Sequence, residues 1–472
     1  MAKIVVTGGG LIGLSTAMLL ADDGHEVTVL ERDPAGPPAV ADEAWTEWER
    51  RGVNQFRMIH FFLPRFRLVM EKELPRVIEA FDAAGALRLN PLKDAPPELT
   101  GGFRDGDEIF EAVTARRPVG ETVVATLAES TPGVTVRRGV AVVGLITGTP
   151  VTPGVPNVTG VLTESGEEIS ADLVVDATGR RSPLPTWLAD AGARPPDEEL
   201  DDCGFIYYGR HFRSADGSVP FALGGLLQHY DSVSMLTLPA DNGTWGVGVI
   251  TSAKDPTLRA LRDVDTWTRV VRSYPLIAHW LDGSPIDEQV AVMAKIEDRH
   301  RDFVVDGTPV VTGLVAVGDS WACTNPSVGR GISIGVLHAV ALRDLVRSHD
   351  LNDPLGVAKE WHDITIATVE PFFRSTLAFD RHRLAEIDAQ IAGVPYEPDD
   401  PGWKLGQRLQ AGVGADPELL RGFLKIATLN ATPEEVFADN GMIERALRVG
   451  GPLEDTPAPG PNRAELLAAV AG

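Results

Sequence analysis

The chain has 472 residues, which is enough for two or three domains, or two interleaved ones, and for a substantial buried core. Its 67 acidic and 43 basic side chains give a formal net charge of −24, which argues against a non-specific nucleic-acid binder because such proteins carry a basic surface. There are only two cysteines, Cys203 and Cys323, so a disulfide framework is not expected.

The first 31 residues have the pattern of a strand, a glycine turn, a helix and a second strand. Apolar runs at 4–6 and 27–30 predict the strands, and helical spacing over 11–20 predicts the helix. No charged leader with an apolar stretch and a cleavage site precedes the first strand, and no apolar run approaches the ~20 residues of a membrane span. We therefore expect a cytoplasmic protein that opens with a βαβ unit.

Hydrophobic spacing predicts the further elements. In chain order they are helices over 64–85 and 117–131, strands at 134–136, 140–145, 158–162 and 172–176, β-rich segments at 204–212, 223–228, 232–238 and 244–251, helical stretches at 256–272 and 275–281, a strand at 314–317, a helix over 331–348, and mainly helical chain over 354–449. The β-rich segments indicate an antiparallel sheet in a second domain. Residues 450–461, rich in proline and glycine, predict a tether before a short terminal helix.

The glycine turn after the first strand is suited to bind a dinucleotide. Gly8, Gly10 and Gly13 have the spacing that permits a tight turn and a close approach of the backbone, and the amides of the following helix can receive a pyrophosphate. Glu31 ends the next strand, where its carboxylate can accept hydrogen bonds from a ribose.

Two later strands end in turns that we expect to approach the same cofactor. Asp176 to Gly179 (DATG) follows the first of them, and Gly318-Asp319 follows the second. An aspartate at position 319 could hold ribityl hydroxyls, which NAD lacks, although a helix-capping role stays open. The helix that opens at Gly331 could direct its N–H groups at the anionic pyrimidine end of a reduced flavin. The three motifs together predict FAD.

In this order the motifs resemble those of the p-hydroxybenzoate hydroxylase-type flavoproteins, the class A FAD-dependent monooxygenases, over roughly residues 3–350. Residues 51–60 (RGVNQFRMIH) are similar to the segment GVPQxRHxH of a subgroup that includes bacterial secondary-metabolism hydroxylases and epoxidases. Asn54 stands where proline is usual in that subgroup, and Met58 where histidine is usual.

The resemblance implies an α/β fold: a Rossmann-like FAD-binding domain, an inserted and mainly antiparallel β substrate domain, and a helical C-terminal part. The expected boundaries are 1–195 for the first part of the FAD-binding domain, 196–300 for the substrate domain, 301–353 for the return to the FAD-binding domain and 354–472 for the helical region. The range 1–195 leaves room for part of the substrate sheet.

The predicted cofactor-binding residues come from the three motifs and from the resemblance, which alone suggests Gln55, Arg57 and Arg117. They are Gly8, Gly10, Leu11, Ile12, Gly13, Glu31, Arg32, Gln55, Arg57, Arg117, Asp176, Gly179, Gly318, Asp319, Pro326, Gly329, Gly331 and Ile332. No metal site is predicted. Arg57 and Arg117 suit cofactor binding because an arginine can neutralise a pyrophosphate and donate to flavin oxygens.

The resemblance also implies a reaction. NADH or NADPH would reduce FAD after binding transiently, since the sequence has no second nucleotide motif. The reduced flavin and O₂ would form a C4a-hydroperoxide that inserts one oxygen atom into a small organic, natural-product-like substrate, by hydroxylation or epoxidation. Because the cofactor carries this chemistry, the acid–base candidates are weak ones. They are His60, Tyr207, Tyr208, Arg210 and His211, each of which could instead serve core packing.

Three alternatives stay open at this point. A double-bond reductase of the geranylgeranyl reductase kind would use the same fold without inserting oxygen. A flavin-dependent halogenase would carry a Trp-x-Trp-x-Ile-Pro motif and an essential lysine, and Trp45-Thr-Glu-Trp48 lacks that spacing. A non-catalytic flavin-binding regulator is the third. The sequence leaves the substrate, the choice between NADH and NADPH and the oligomeric state undecided.

Overall fold

The structure is a computed structural model that describes residues 1–93, 95–451 and 459–472. The strands, in chain order, are β1 (Lys3–Thr7), β2 (Glu26–Glu31), β3 (Leu87–Leu89), β4 (Ala112–Thr114), β5 (Val134–Arg138), β6 (Val142–Thr152), β7 (Val155–Thr163), β8 (Glu168–Ser170), β9 (Leu173–Asp176), β10 (Asp197–Asp202), β11 (Phe205–Arg213), β12 (Leu227–His229), β13 (Val233–Pro239), β14 (Thr244–Ser252), β15 (Ser284–Pro285), β16 (Ala291–Met293), β17 (Glu297–Asp302), β18 (Val304–Val305), β19 (Thr308–Pro309), β20 (Leu314–Ala316) and β21 (Ala322–Cys323).

The α-helices are α1 (Leu11–Asp22), α2 (Ala44–Glu47), α3 (Pro64–Glu73), α4 (Pro75–Ala83), α5 (Pro97–Thr100), α6 (Arg117–Ser130), α7 (Leu184–Asp190), α8 (Val264–Arg272), α9 (Gly331–Ser348), α10 (Pro354–Thr368), α11 (Glu370–Ala392), α12 (Pro401–Ala411), α13 (Pro417–Ala427), α14 (Pro433–Phe437), α15 (Asn440–Val449) and α16 (Arg463–Ala471). Short 3₁₀ helices include Gly318–Ser320 and Pro326–Val328. Most of the predicted tether falls on residues 452–458, which lie outside the described residues.

The first large sheet is parallel and has five strands, in the order β20-β9-β1-β2-β5. The predicted βαβ opening is confirmed, because β1 pairs in parallel with β2 across helix α1. Strand β20 joins this sheet after a long excursion of the chain, so the sheet is assembled from segments that are far apart in sequence. The carboxyl ends of β1, β2, β9 and β20 therefore meet at one edge, where ligands bind in sheets of this kind.

Helices α1 and α9 pack closely on this sheet. A Cβ atom on Gly335 of α9 would lie only 2.6 Å from Cδ1 of Ile12, so the two helices approach at a position without a side chain. Val6, Leu14 and Val336 are fully buried in the resulting core. The close contact places the N-termini of both helices beside the same sheet edge.

The second large sheet is antiparallel, as predicted, in the order β12-β13-β14-β11-β15, with β16 also paired to β11. Of the predicted segment 223–228 only its end is strand, in β12. An ion pair joins this sheet to the start of α6: the buried Arg116, just before that helix, binds the fully buried Asp241, which lies between β13 and β14. The domain boundaries themselves stay a prediction.

The predicted helix over 64–85 is wrong as a single element. Two helices, α3 and α4, take its place, and the break is at Leu74, whose φ of −141° and ψ of 64° are not helical. Pro75 explains the break, because proline lacks an N–H to donate and disfavours a helical conformation at the residue before it.

The C-terminal region is helical from α10 to α16, as predicted. The last helix, α16, returns to the antiparallel sheet, where Leu466 and Val470 pack in the same core as Trp267 of α8. Arg463 at its start binds Asp255 at 2.8 Å. In the described parts of the chain, no helix is long and apolar enough to cross a membrane.

Candidate active site

One large cavity, of about 2820 Å³, opens along the carboxyl edge of the parallel sheet. Cavities that hold one drug-sized ligand are typically about 300–1,000 Å³, so this one has room for a large cofactor and a substrate together. Its wall includes residues of all three motifs, of β11 and of helices α11 to α14. The site is therefore built from both large sheets and from the helical C-terminal region.

The three glycines of the first turn have different surroundings. Gly8 has a φ of 101°, and a Cβ there would lie 2.5 Å from the carbonyl oxygen of Ala177. A Cβ on Gly13 would lie 2.1 Å from the carbonyl oxygen of Gly8. A Cβ on Gly10 would meet nothing within 4 Å, and Gly10 borders the cavity. The outer glycines thus permit tight backbone packing, and Gly10 leaves space at the N-terminus of α1 for a pyrophosphate.

The buried Glu31 is anchored by the protein itself. Its carboxylate accepts the backbone N–H of Gly9 and of Asp33, each at 2.9 Å, and the guanidinium of Arg50 at 2.9 Å. Arg50 is buried and also binds Asp33 and Glu121. This cluster orients Glu31 at the cavity wall, where a ribose hydroxyl could donate to its remaining lone pairs.

Asp176, at the end of β9, is fully buried and holds its own turn together. Its carboxylate accepts hydrogen bonds from the hydroxyls of Thr7, Thr178 and Ser182 and from the backbone N–H of Thr178. It does not line the cavity, but it shapes the backbone of the turn that does. The turn is joined to the third motif, because Gly179 N–H donates to Ser320 Oγ at 2.8 Å.

Asp319, in the 3₁₀ helix that follows β20, lies in the cavity wall. Burial raises the pKa of its carboxyl, while the positive charges of Arg117 and Arg180 act in the opposite direction. In the described part of the chain no side chain or backbone group donates a hydrogen bond to this carboxylate. The arrangement suits an acceptor for ligand hydroxyls close to Gly331, whose Cβ would lie 3.8 Å from Oδ1 of Asp319.

Arg117, at the start of α6, is held at the cavity wall by Glu121, to which its Nε donates at 2.8 Å. Nε2 of His60 lies 3.4 Å from Arg117 Nη1. Burial, reinforced by the positive charge of Arg117, holds the pKa of His60 well below its ordinary value, so the imidazole is neutral at physiological pH. The pair offers a fixed cation beside a neutral ring.

Most predicted cofactor-binding residues line this one cavity. They are Gly8, Gly10, Leu11, Ile12, Glu31, Arg32, Gln55, Arg117, Gly179, Asp319, Pro326, Gly329, Gly331 and Ile332. Four others, Gly13, Arg57, Asp176 and Gly318, are not in the lining. Arg57 donates to the backbone carbonyls of Trp45 and Trp48, and Gly318 has a φ of 61° in the turn before Asp319.

The structure separates the acid–base candidates. Gly209, Gly246 and Gly248 form a bare patch of the antiparallel sheet that contacts Ile59, so the face bearing Tyr207 is directed at the loop with His60. His60, Tyr207 and Tyr208 line the cavity.

Arg210 and His211 are placed elsewhere. Arg210 donates to the backbone carbonyl of Asp287, and Nδ1 of His211 lies 3.1 Å from Oδ2 of Asp287. Neither is in the cavity lining. Both side chains instead tie β11 to the segment that contains Asp287.

The sequence pattern missed Arg50 and Glu121. Glu121 could have been predicted from the sequence, because it follows Arg117 by four residues on a helix, the spacing at which two side chains can form an ion pair. Arg50 directly precedes the segment 51–60 but lies outside its pattern. Among the described residues, no group of three or more His, Cys, Asp or Glu side chains is placed to hold a metal ion.

Comparison with known proteins agrees with this geometry. Residues 3–41 match the family model described as FAD dependent oxidoreductase. Over 446 residues the chain is 28% identical to Protein Rv3254 of Mycobacterium tuberculosis, covering 89% of this chain and 88% of that protein.

Solved structures share the fold at low identity. PqsL of Pseudomonas aeruginosa, a probable FAD-dependent monooxygenase, has a TM-score of 0.58 at 16% identity, covering 83% of this chain and 98% of that chain. The anhydrotetracycline hydroxylase OxyS of Streptomyces rimosus has a TM-score of 0.57 at 18% identity, covering 91% of this chain and 76% of that chain. The flavin-dependent brominase Bmp2, in a triple-mutant structure, has a TM-score of 0.58 at 14% identity, covering 94% and 100%. The predicted fold is confirmed: the chain has the fold of the class A FAD-dependent monooxygenases.

Proposed function

We propose that the chain is a FAD-dependent monooxygenase, reduced by NADH or NADPH, that inserts one oxygen atom from O₂ into a small organic substrate. The observation that carries this proposal is the meeting of three separate backbone turns at one cavity, with Asp319 in its wall. A dinucleotide other than FAD would need the first turn, but would have no ribityl chain for Asp319 to hold.

The residues present fit FAD. Gly10 and the N-terminus of α1 would receive the pyrophosphate, and Glu31 the ribose. Asp319 would accept from the ribityl hydroxyls, and the N-terminus of α9 at Gly331 would face the pyrimidine end of the ring. The bound flavin would supply the reducing equivalents and the activation of O₂.

The chain's own part in the reaction is to bind, orient and exclude water. Arg117, fixed by Glu121, would hold an anionic part of the cofactor without moving. The remaining cavity is walled by aromatic side chains, among them Phe379, Phe423 and Trp280, which favour a largely apolar substrate and keep water from the reacting centre.

Two observations bear on the alternatives. The described residues that line the cavity include no lysine, which argues against a halogenase, since the halogenases resembling this fold use an essential lysine. The size of the cavity argues against a regulator that only stores flavin. A double-bond reductase is not disfavoured by the geometry, and the behaviour of the reduced flavin in air has to separate it from the oxygenase.

The first experiment asks whether the cavity holds FAD. Wild type should purify yellow, and Gly10→Ala should lose FAD without losing its fold, because an alanine there projects into open space that the pyrophosphate needs. Gly144→Ala is the matched control, since its Cβ would also meet nothing within 4 Å but lies on β6, outside the cavity lining. Full FAD retention in Gly10→Ala would contradict the placement of the pyrophosphate.

The second experiment asks what the flavin does. With NADH or NADPH and ¹⁸O₂ in place of air, a monooxygenase should reoxidise rapidly and transfer one ¹⁸O atom to an accepted substrate. A reduced flavin that is stable in air and consumed only by an unsaturated substrate would establish the reductase instead. Bromide-dependent halogenation of an electron-rich aromatic compound would establish the halogenase.

A further inference from the structure

A row of four paired residues crosses the antiparallel sheet, on the face directed at the loop with His60. His229 of β12 pairs with Ser234 of β13. Ser234 pairs in turn with Ile250 of β14, and Ile250 with Tyr207 of β11. Residues directly opposite each other on neighbouring strands project to the same face of a sheet. His229, Ile250 and Tyr207 line the cavity, whereas Ser234 lies beneath its surface.

The buried Arg383 of α11 supports the β12 end of this row. Its Nη2 donates to the backbone carbonyls of Tyr230 and Val233, at 2.7 and 2.9 Å, and its Nε donates to Ser234 Oγ at 3.1 Å. The carboxylate of Glu386, 3.1 Å from Nη1, balances its charge. Because a guanidinium can only donate, the oxygen of Ser234 accepts in this contact.

These contacts decide which nitrogen of His229 carries a proton. Nδ1 of His229 lies 2.9 Å from Ser234 Oγ. Ser234 is buried, and in the described part of the chain this nitrogen is the one acceptor within reach of its hydroxyl. The hydroxyl therefore donates to Nδ1, because a buried O–H without an acceptor would cost free energy.

The ring of His229 is therefore a neutral imidazole with its proton on Nε2. Burial, reinforced by the positive charge of Arg383, holds the pKa of His229 well below its ordinary value, so the ring is uncharged at physiological pH. Among the described residues no atom accepts a hydrogen bond from Nε2, and this nitrogen keeps accessible surface in the cavity wall. The wall thus presents one uncharged N–H, in an orientation that Ser234 fixes.

The neighbours of this N–H are apolar. The ring of Phe379 lies with its centroid 5.9 Å from that of His229, and Leu227 and Ile250 stand on the same face of the sheet and also line the cavity. A hydrogen bond is stronger in such surroundings than in water. A carbonyl oxygen suits the position because it only accepts, whereas a hydroxyl would bring a proton for which these three side chains offer no acceptor.

We propose that His229 determines specificity by donating its Nε2 proton in a hydrogen bond to a neutral carbonyl oxygen of the substrate, that of a ketone, quinone or amide. The inference deepens the proposed oxygenase function and rests on it. No proton is transferred, and the bond attaches one end of the substrate to β12. His229 contacts the substrate, whereas Ser234 and Arg383 are positioning residues that act through it.

The test compares two probes of nearly equal shape, 2-acetylnaphthalene and 2-isopropenylnaphthalene, titrated calorimetrically into the FAD-loaded protein without NADH or NADPH. The second probe has a CH₂ group in place of the carbonyl oxygen and so lacks the acceptor. His229→Leu should lower the ratio of ketone affinity to alkene affinity about tenfold, as expected for the loss of one hydrogen bond. His229→Gln, whose side-chain amide keeps an N–H donor, should recover part of the ratio.

Tyr230→Phe is the matched control, because it removes a hydroxyl from the neighbouring residue of the cavity wall, one that donates to Gln228. Its affinity ratio should equal that of wild type. A ratio that survives His229→Leu would overturn the proposal, and so would a tenfold fall of the ratio in Tyr230→Phe.

The position of the proton is tested separately, by NMR of protein labelled with ¹⁵N in its histidines. The imidazole signals that disappear in His229→Gln should have the pattern of a neutral ring protonated on Nε2. Ser234→Ala should change that pattern and lower the affinity ratio several-fold, because the ring loses the contact that orients it. A charged ring in wild type, or one protonated on Nδ1, would overturn the proposal.

The two proposals fail separately. If the protein retains FAD and transfers ¹⁸O but the affinity ratio does not depend on His229, the carbonyl donor is wrong and the oxygenase stands. If the purified protein retains no FAD, the proposed function is wrong whatever the state of the His229 ring. Thermal unfolding of each variant checks that the substitutions leave the fold intact.

Discussion

The turns after β9 and β20 each carry an aspartate at the same sheet edge, yet the two carboxylates do different work. Asp176 accepts four hydrogen bonds from its own turn and from Thr7, and is fully buried. Asp319 accepts none from the described part of the chain and lies in the cavity wall. A short motif can therefore place an acid near a ligand without making it a ligand contact.

The physical difference lies in the neighbouring residues. Thr178 and Ser182 follow Asp176 closely and supply hydroxyl and backbone donors that saturate it. After Asp319, the nearby Ser320 hydroxyl instead accepts the N–H of Gly179. Saturation stabilises the apo fold, whereas an unpaired, partly buried carboxylate such as that of Asp319 costs free energy that a bound ligand can recover.

The largest effect is expected from a substitution that breaks the turn after β9. Asp176→Ala should lower the free energy of unfolding by about 3 kcal/mol or more, because several buried donors lose their acceptor at once. Urea unfolding of the apo-protein measures it. Asp176→Asn, which keeps one acceptor oxygen, should lose less. An apo-protein of unchanged stability would show that the carboxylate does not hold the turn.

Glu31 both stabilises the fold and faces the proposed ribose site. Its replacement should therefore lower both the FAD affinity and the stability of the apo-protein. Glu31→Ala should weaken FAD binding by about 1.5–3 kcal/mol and also destabilise the apo-protein, because the buried Arg50 loses one of its carboxylate partners. Fluorescence titration with FAD and urea unfolding give the two values. Unchanged FAD affinity would remove Glu31 from the ribose site and place it with Asp176.

Asp319→Ala should change the FAD affinity without lowering the stability of the apo-protein. The apo-protein should be as stable as wild type or more stable, since no internal hydrogen bond is lost. FAD affinity should fall by about 1.5–3 kcal/mol, or roughly tenfold to a hundredfold, through the loss of charge-assisted hydrogen bonds. A stability loss as large as that of Asp176→Ala would erase the distinction between the two turns.

The smallest effect is a pH dependence. Burial raises the pKa of Asp319 in the folded chain above its unfolded value of 3.8, so folding favours the protonated form. Its contribution to stability is fully present below pH 3.8 and is lost as pH rises through the folded pKa. Asp319→Asn should therefore be more stable than wild type at pH 7, with an advantage that shrinks toward pH 4. A constant difference between the two apo-proteins would contradict the raised pKa.

The sequence anticipated the parts of the site that depend on backbone. The turn at Gly8, Gly10 and Gly13 could be predicted from its glycine spacing. At Gly8 and Gly13 the neighbouring backbone lies so close that a side chain would not fit, so the glycines mark the turn in the sequence. The meeting of three turns followed from parallel strands, whose carboxyl ends share an edge. The break at Leu74 was missed although Pro75 was visible, because the apolar spacing continues across it.

Side-chain assignments were less predictable. Arg57 and Arg117 were both expected at the cofactor, but Arg57 is engaged by two backbone carbonyls, whereas Arg117 is fixed at the cavity wall by Glu121. Likewise, alternation along β11 separated Tyr207 from Tyr208 but could not say which face meets the loop with His60. That choice depends on the packing of Ile59 against the glycines of the sheet.

By itself, the amino-acid sequence determined the βαβ opening, the three turns and their common edge, since these follow from local spacing and from the geometry of parallel strands. Only the tertiary structure decided which acids are saturated, which face of the antiparallel sheet packs against the loop with His60, and that α11 and the loop before α12 complete the cavity wall. The physical reason is distance along the chain: hydrogen-bond saturation and burial depend on partners that are far apart in sequence and meet only when the chain is folded.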